Sequence, residues 1–352
     1  MSDTVSTSPL PVRVGIAGSG NWTRRRILPR LQAIPGVTLT AVTNRTRASS
    51  ERAAGEFGIP RIEPHWRALV EAPDVDAVYV GGWPHLHHPV TLAALAAGKH
   101  VLVEAHMASS AAEAREMLAA SRARPDLTAQ VVTVGRLVRA ERTVRRLLHE
   151  GYLGDLYSVE LTVREGFADR ERPWPRRMQR ELSGQNALYT GVWYEELMRW
   201  VGEARAVSAL GETYVRWRPD EAGRLAPATM PDHLGVLCRF ACGAQGHMLF
   251  TAVSGPAGPH EVRLSGSEGT LLFNQSSQIL TGARRGDAAL TEIRIPPEEA
   301  TGWNVTEEWI AAIRGERPVG YTTFADATRA HEFSDAIERS LTSGRLEAVR
   351  TV

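Results

Sequence analysis

A glycine-containing loop near the start of the chain has the spacing of a dinucleotide-binding turn. The stretch Gly18-Ser19-Gly20-Asn21-Trp22-Thr23 directly follows a short apolar run. In such a turn the first glycine permits a tight bend, and the second lets a pyrophosphate approach the main chain. The third position usually holds a glycine that only allows close packing of helix against strand. The loop predicts dinucleotide binding by Gly18, Gly20, Asn21, Trp22 and Thr23.

The end of the second apolar run indicates which dinucleotide would bind. A carboxylate there would bind the ribose 2′-hydroxyl of NAD, whereas arginine and small polar groups suit the 2′-phosphate of NADP. The chain has Asn44, Arg45 and Thr46 at this place, and no acid before Glu51. This composition favours NADP(H), with NAD as the alternative. A second interpretation is a surface turn in which Asn44 only caps the next helix.

Short apolar runs alternate with helical stretches from residue 12 to residue 134. This alternation predicts a parallel, doubly wound sheet of the Rossmann type. The predicted strands are 12–17, 37–42, 75–81, 100–104 and 127–134, and the predicted helices are the stretch through 31–34, then 48–57, 90–97 and 111–121.

The pattern changes after residue 134, where alternating apolar residues predominate. We expect an α+β domain over 135–352 with an open, mostly antiparallel sheet. Residues 1–11 are predicted to form a disordered tail, and 12–134 the dinucleotide-binding domain. The predicted strands are 156–166, 233–240, 245–253, 260–266 and 269–274, and the predicted helices are 140–150, 188–201, 304–314 and 324–343.

Composition excludes several classes of protein. With 41 basic and 40 acidic residues among 352, the net charge of +1 provides no field for nucleic acid or an anionic membrane. No window of about 18 apolar residues suggests a membrane span. The first eleven residues do not resemble a signal peptide. With only Cys238 and Cys242 as thiols, the expected location is the cytoplasm.

Four stretches resemble the glucose–fructose oxidoreductase/inositol dehydrogenase (Gfo/Idh/MocA) family. They are WPHLHHPVTLAALAAGKHVLVEAHMA (83–108), SGQNALYTGVWYEELMRWVG (183–202), HEVRLSGSEGTLLFN (260–274) and WIAAIRGERPV (309–319). The resemblance implies an NAD(P)-dependent oxidoreductase built from a Rossmann domain and an α+β domain. It also implies cofactor contacts from Trp83, His85 and His87, and a place for Glu104 beside the nicotinamide. A metal at His85, His87 and His88 is disfavoured, because no Asp or Cys stands nearby.

The family's catalytic residues are replaced in this chain. The family's E-K-P motif becomes Glu104-Ala105-His106, so its substrate-binding lysine is absent, and the only lysine of the chain is Lys99. The family's catalytic histidine is replaced by Trp193. The aspartate before that histidine is replaced by Tyr189, and the last acid of the motif is kept as Glu196.

Two residues could supply the missing proton donor. Hydride transfer to a carbonyl or imine needs a donor within about 3 Å of the heteroatom. Tyr189 is one candidate and His106, which titrates near neutrality, is the other. The alternatives are a core tyrosine on an apolar helix and an ordinary loop histidine.

The substrate pocket is expected to be more aromatic than a plain sugar site. By resemblance, the substrate contacts would come from Trp174, Arg177, Trp193, Tyr194 and Glu196. Against this, Trp193 and Trp200 are seven residues apart and could form a core stripe on one helix face.

The sequence therefore predicts an oxidoreductase that transfers a hydride between NAD(P) and a sugar, polyol or related carbonyl or imine. One alternative is a redox-neutral enzyme, glycosidase- or epimerase-like, with tightly held nicotinamide. Another is a non-catalytic cofactor-binding protein. An exposed sheet face in the second domain would favour a homo-oligomer, a dimer or tetramer.

Overall fold

The computed structural model describes residues 10–166, 171, 179–220, 223–320 and 322–352, and these form two compact units. The first unit comprises the chain up to Ala108 with Ala112–Thr133 and Asn304–Ala327. The second comprises Ser109–Ala111, Val134–Trp303 and Thr328–Val352. The sequence did not anticipate the return of the chain to the first unit after residue 303. Of the tail expected over 1–11, residues 1–9 lie outside the described part.

The first unit contains a six-stranded parallel sheet, which confirms the predicted Rossmann-type architecture. Its strands are ordered β3-β2-β1-β4-β5-β6, and each is paired in parallel with its neighbours. The strand order reverses between β1 and β4, which opens a crevice at the carboxyl ends of these strands. The strands are β1 (Val12–Ala17), β2 (Val37–Thr43), β3 (Arg61–Ile62), β4 (Ala77–Val80), β5 (His100–Glu104) and β6 (Ala129–Val132).

Helices follow most of these strands, as a doubly wound sheet requires. A π-helical turn over Thr23–Ile27 continues directly as the first α-helix. The helices are α1 (Leu28–Ala33), α2 (Arg47–Phe57), α3 (Trp66–Glu71), α4 (Pro84–Ala96) and α5 (Ala111–Arg122).

The second unit contains a nine-stranded sheet, which confirms the predicted mostly antiparallel arrangement. The strand order is β16-β15-β14-β13-β7-β12-β11-β8-β17, and only β7 and β12 run parallel. A separate pair, β9 and β10, forms a small second sheet. The elements are α6 (Val138–His149), β7 (Leu156–Arg164), α7 (Arg180–Ser183), α8 (Thr190–Val201), β8 (Ala204–Glu212), β9 (Trp217–Pro219), β10 (Leu225–Pro227), β11 (His233–Phe240), β12 (Gln245–Thr251), β13 (Glu261–Gly266), β14 (Gly269–Asn274), β15 (Ile279–Arg284), β16 (Thr291–Glu292), α9 (Val305–Ile313), α10 (Phe324–Ser343) and β17 (Glu347–Ala348). Of these, α9 belongs to the first unit.

Helix α8 is the central element of the second unit's core. Trp200 meets Phe273 of β14 edge to face, with ring centroids 5.9 Å apart. The Tyr194 ring stacks on Phe333 of α10 with centroids 3.8 Å apart. One face of the sheet is therefore covered by helices.

The other face of this sheet exposes apolar side chains. Leu210 on β8 lies opposite Gly235 on β11, and Gly235 lies opposite Leu249 on β12. Leu237, two residues along β11, is on the same face, and Leu210 is 77% exposed. Throughout the described part, every helix is too short or too polar to cross a bilayer.

Candidate functional site

The glycine loop closes tightly against the end of β4. Gly18 has a φ of +98°, and its N–H donates to the carbonyl oxygen of Thr43 at 2.9 Å. A Cβ atom at Gly18 would lie only 2.3 Å from the carbonyl oxygen of Gly81. This position therefore requires glycine for both conformation and space.

Gly20 has a different role, because the space in front of it is open. A Cβ atom built there would meet no atom of the described chain within 4 Å, and its φ is not in the left-handed region. The protein itself therefore has room for a Cβ atom at this position. The open space lies where the loop leads into the first helix, which is the arrangement that accommodates a dinucleotide pyrophosphate.

Thr23 links the glycine loop to Glu104 at the end of β5. Its hydroxyl donates to Oε1 of Glu104 at 2.7 Å, and the hydroxyl of Tyr79 on β4 donates to the same oxygen. Burial raises the pKa of the Glu104 carboxyl, and the two hydroxyl donors oppose that rise. Three elements at the carboxyl edge of the sheet are thus fixed around one carboxylate. This explains why the loop has threonine where a third glycine is usual.

Of the residues after β2, Asn44 and Thr46 hold the turn in place, whereas the Arg45 side chain is exposed. The Asn44 amide accepts from the N–H of Ser19 at 2.6 Å and donates to the carbonyl oxygen of Ser49 at 3.0 Å. Thr46, rather than Asn44, caps α2, since its Oγ1 accepts from the Ser49 N–H at 3.3 Å. Arg45 is exposed, and no described residue forms a hydrogen bond or ion pair with its guanidinium. Arg45 is therefore available to bind an anion.

His87 is a buried imidazole in which one of the two ring nitrogens forms a hydrogen bond. Its Nδ1 lies 2.7 Å from the carbonyl oxygen of His106, which can only accept, so Nδ1 carries the proton. Its Nε2 is then an acceptor, and it is buried with no hydrogen-bond partner in the described chain. Burial lowers the pKa of His87 to about 4, so the ring is neutral at pH 7. An unpartnered buried acceptor is suited to a hydroxyl or amide donor of a ligand.

The neighbouring histidines differ from His87 in their surroundings. His85 is exposed, and His88 is 2.8 Å from a carboxylate oxygen of Glu116. Trp83 is half-buried and directly precedes α4. Within the described residues, no three His, Cys, Asp or Glu side chains are grouped to hold a metal.

His106 lies just beyond β5 and is half-buried. The peptide bond between Ala105 and His106 is cis. The carbonyl of His106 is engaged by His87, so the backbone at the expected proton donor is held in place.

Tyr189 precedes α8 in an unusual backbone conformation. Leu188 and Tyr189 have φ values of +51° and +61°, a region that residues other than glycine seldom adopt. Such strain persists only where surrounding contacts enforce it. The Tyr189 ring centroid lies 5.8 Å from the guanidinium carbon of Arg136. The structure thus places the proposed donor beside a cation of its own unit.

Two expected substrate contacts are instead buried within the second unit. Tyr194 is 1% exposed, and its hydroxyl accepts from the N–H of Ala204 at 2.7 Å. Glu196 is 2% exposed, and its carboxylate accepts from the backbone N–H groups of residues 135, 136 and 137 at 2.8, 3.0 and 2.5 Å. These two side chains have their polar atoms committed to the main chain, so the structure corrects their assignment to substrate contact. Trp174 and Arg177 lie outside the described residues.

Trp193 is fully buried, and its ring contacts the side chains of one arginine and one histidine. The guanidinium of Arg136 lies 4.6 Å from its ring centroid, and His260 meets it edge to face at 5.5 Å. Its burial agrees with the expected apolar row that it forms with Trp200 on one helix face. Its ring is not exposed for direct contact with a substrate.

His260 and Arg136 were missed by the sequence reasoning. Nδ1 of His260 accepts from the N–H of Arg164 at 3.2 Å, so the ring proton is on Nε2. Burial lowers the pKa of His260, Glu165 opposes this and Arg136 adds to it. Arg136 and His260 are far apart in the sequence and come together only in the folded sheet and its loops. The one local indication was the Gly135-Arg136 pair shortly after β6.

Comparisons with known proteins agree with this fold. Residues 12–131 match the oxidoreductase family GFO_IDH_MocA, NAD-binding Rossmann fold, and residues 142–272 match the GFO/IDH/MocA C-terminal domain. The chain belongs to the Gfo/Idh/MocA family. The matched ranges contain the stretches 83–108 and 183–202 and most of 260–274, and they confirm the family resemblance.

Several curated Gfo/Idh/MocA-like relatives match parts of the chain. A levoglucosan dehydrogenase of Pseudarthrobacter phenanthrenivorans is 27% identical over 239 residues, covering 63% of this chain and 61% of the relative. A trans-1,2-dihydrobenzene-1,2-diol dehydrogenase of Sus scrofa is 28% identical, covering 73% and 71%. A dTDP-3,4-didehydro-2,6-dideoxy-alpha-D-glucose 3-reductase of Streptomyces antibioticus is 36% identical, covering 42% and 44%. The matched region is thus less than two thirds of the first and third relatives.

Solved structures of the family share the whole architecture. The apo levoglucosan dehydrogenase superposes with a TM-score of 0.85 at 22% identity, covering 97% of this chain and all of the other. The complex of levoglucosan dehydrogenase with NADH gives 0.84 at 22% identity with the same coverage. An oxidoreductase domain protein from Kribbella flavida gives 0.84 at 25% identity, also covering 97% and 100%. At such identities these likenesses show the fold alone.

Proposed function

We propose that this chain is an NADP(H)-dependent oxidoreductase acting on a sugar, polyol or related carbonyl or imine. The observation that carries the proposal is the open space at Gly20, which the protein leaves free at the start of the first helix. Family membership adds support, because the matched N-terminal family is an NAD-binding one. A bound nicotinamide would accept or supply a hydride.

The preference for NADP rests on Arg45. An exposed guanidinium without an ion-pair partner in the described chain can form charge-assisted bonds with a 2′-phosphate. Asn44 and Thr46 hold the turn from which Arg45 projects, through Ser19 and Ser49. No carboxylate occupies the place where the NAD ribose would be bound.

Residues at the carboxyl edge of the sheet would position the nicotinamide half. His87 offers a buried lone pair at Nε2, which can accept from a ribose hydroxyl or the carboxamide. Glu104, fixed by Thr23 and Tyr79, holds the loop and two strands in register. Trp83 and His85 are proposed as further cofactor contacts from the start of α4.

The substrate proton is assigned to Tyr189 or His106. Tyr189 would give the proton from its phenol oxygen, and His106 from its imidazole. Ala105 and Trp193 replace the family's lysine and histidine, so the proton must come from another group. Separate variants of Tyr189 and His106 distinguish the two assignments.

The decisive experiment is turnover on a panel of polyols, sugars, ketones and imines with NADP(H) and NAD(H). Oxidation or reduction of any member with a preference for NADP(H) supports the proposal. Normal cofactor binding without turnover on the whole panel would contradict it.

The losses at Ala105 and Trp193 favour one second candidate, a redox-neutral enzyme that retains its nicotinamide. Native mass spectrometry of the purified protein separates the two. A tightly retained nicotinamide supports the redox-neutral reaction, whereas a protein that exchanges added cofactor freely supports the dehydrogenase.

We also propose that a second copy of the chain covers the exposed sheet face of the second unit. The apolar row at Leu210, Leu237 and Leu249 carries this proposal, since such a surface favours burial. Sedimentation should give a dimer or larger assembly, and Leu210→Asp with Leu237→Asp should shift it toward monomer. A monomeric wild-type protein would contradict the proposal.

A further inference from the structure

The loop of residues 135–137 is rigidly held within the second unit. The buried carboxylate of Glu196 accepts hydrogen bonds from all three backbone N–H groups of this loop. A main chain held at three consecutive amides fixes the point from which the Arg136 side chain departs. Arg136 therefore differs from a flexible surface arginine, because less conformational freedom is lost when it binds a ligand.

The Arg136 guanidinium is held by aromatic rings rather than by an acid. Its central carbon lies 4.6 Å from the Trp193 ring centroid and 5.8 Å from that of Tyr189. Its Nε is buried without a hydrogen-bond partner, and no described carboxylate forms an ion pair with the group. Buried donors are normally satisfied, so this one indicates a missing acceptor.

The surroundings of Arg136 indicate which acceptor is missing. The oxygens of Glu196 accept from backbone amides, so this carboxylate interacts with Arg136 through its charge but forms no hydrogen bond with the guanidinium. His260 lies against the same tryptophan, and burial and the charge of Arg136 lower its pKa, although Glu165 opposes this. A single planar guanidinium matches the two oxygens of a carboxylate, whereas a phosphate dianion usually gathers several cations.

We propose that Arg136 binds a carboxylate of the substrate, so that the substrate is a polyhydroxy acid rather than a neutral sugar or polyol. The inference rests on the proposed oxidoreductase function and names its substrate class. His260 completes the site, because its Nε2–H can donate to a hydroxyl next to that carboxylate. The Trp193 ring separates and orients the two side chains without contacting the substrate itself.

Calorimetric titration of the whole protein with matched acid and neutral probes tests this proposal. The pairs are D-gluconate with D-sorbitol, D-glucuronate with D-glucose, and D-galacturonate with D-galactose, each with and without NADP⁺. At least one acid should bind about tenfold or more tightly than its neutral partner, as a charged hydrogen bond allows. Arg136→Gln should weaken binding of that acid by roughly 10- to 100-fold and leave the neutral partner nearly unchanged.

Two further variants serve as controls for charge and for the planar geometry of the guanidinium. Arg139→Gln, an exposed arginine one turn along in α6, should bind the acid as the wild type does. Arg136→Lys keeps the charge but loses the planar fork, so it should fall between the wild type and Arg136→Gln. Circular dichroism on thermal unfolding establishes that each variant is folded.

The proposal is overturned if no acid binds more tightly than its neutral partner, or if Arg136→Gln and Arg139→Gln behave alike. Failure of the oxidoreductase proposal has a different signature. In that case NADP⁺ would not bind, while the acid would still bind in an Arg136-dependent way.

Discussion

The hydroxyl of Thr23 donates to Oε1 of Glu104 across 2.7 Å, joining the glycine loop to the end of β5. Sequence alone treats Thr23 as a departure from the dinucleotide motif. The structure gives it a function that glycine could not perform.

Thr23→Val should remove one donor from a buried carboxylate while keeping the shape of the side chain. We expect a loss of about 1–3 kcal/mol in the free energy of unfolding and weaker NADPH binding. Thr23→Ser is the matched control, because it keeps the hydroxyl. Urea unfolding and NADPH titration measure both effects. Equal stability and affinity for Thr23→Val and the wild type would show that the bond is unimportant.

Gly20→Val should abolish cofactor binding and leave the fold intact. A Cβ atom at this position meets no described atom within 4 Å, so we expect the valine side chain to extend into the space meant for the pyrophosphate. Gly55→Val is the control, since Gly55 also faces open space and lies on α2 of the same unit. Wild-type affinity in the Gly20 variant would place the phosphates elsewhere.

Stability should depend on pH through His87. Its pKa in the folded chain is about 4, against 6.5 for the ordinary group, so between these values the unfolded chain binds a proton that the folded chain does not. The contribution of neutral His87 to the free energy of unfolding is therefore fully present above pH 6.5. It falls as the pH drops toward 4, by roughly 3 kcal/mol at most.

Urea unfolding from pH 7 to pH 4 measures this dependence. His87→Asn should flatten it, because the amide can still donate to the His106 carbonyl but does not titrate. The exposed His85 provides the control as His85→Asn. An unchanged slope in His87→Asn would indicate that other groups cause the pH dependence.

Tyr189→Phe should lower the rate of hydride transfer by about 10²–10⁴-fold if the phenol supplies the proton. The ring and its packing remain, so the thermal midpoint should barely move. If His106 is the donor, His106→Gln should show that loss and Tyr189→Phe should be mild. Single-turnover absorbance of the reduced nicotinamide reports the rate. Full activity in both variants and in the double variant excludes both residues.

The parallel sheet was predictable because its strands are apolar on both faces and are bounded by helices. Strand β1 (12–17) and strand β5 (100–104) have the predicted bounds. Helix α4 begins at Pro84, six residues before its predicted start, since Pro89 within it suggests a break. Strand β8 (204–212) escaped prediction because its alanine, serine and glycine residues have weak strand propensity.

The candidate site was only partly predictable, because its contacts join distant parts of the chain. The motif identified Gly18, whose role follows from its backbone conformation, and Gly20, whose role follows from the open space beside it. No local pattern could show that Tyr79 and Thr23 share the carboxylate of Glu104, since β4, β5 and the loop meet only in the fold. The same applies to His260.

The most direct test of the central proposal is the affinity for NADPH and NADH, measured by tryptophan fluorescence. We expect NADPH to bind more tightly, by about tenfold or more, through charge-assisted bonds from Arg45 to the 2′-phosphate. Arg45→Ala should remove most of this preference, whereas Arg47→Ala, whose arginine pairs with Glu51 at 2.9 Å, should keep it. Tighter binding of NADH, or an unchanged preference in Arg45→Ala, would contradict the NADP(H) assignment, and binding of neither dinucleotide would contradict the oxidoreductase proposal as a whole.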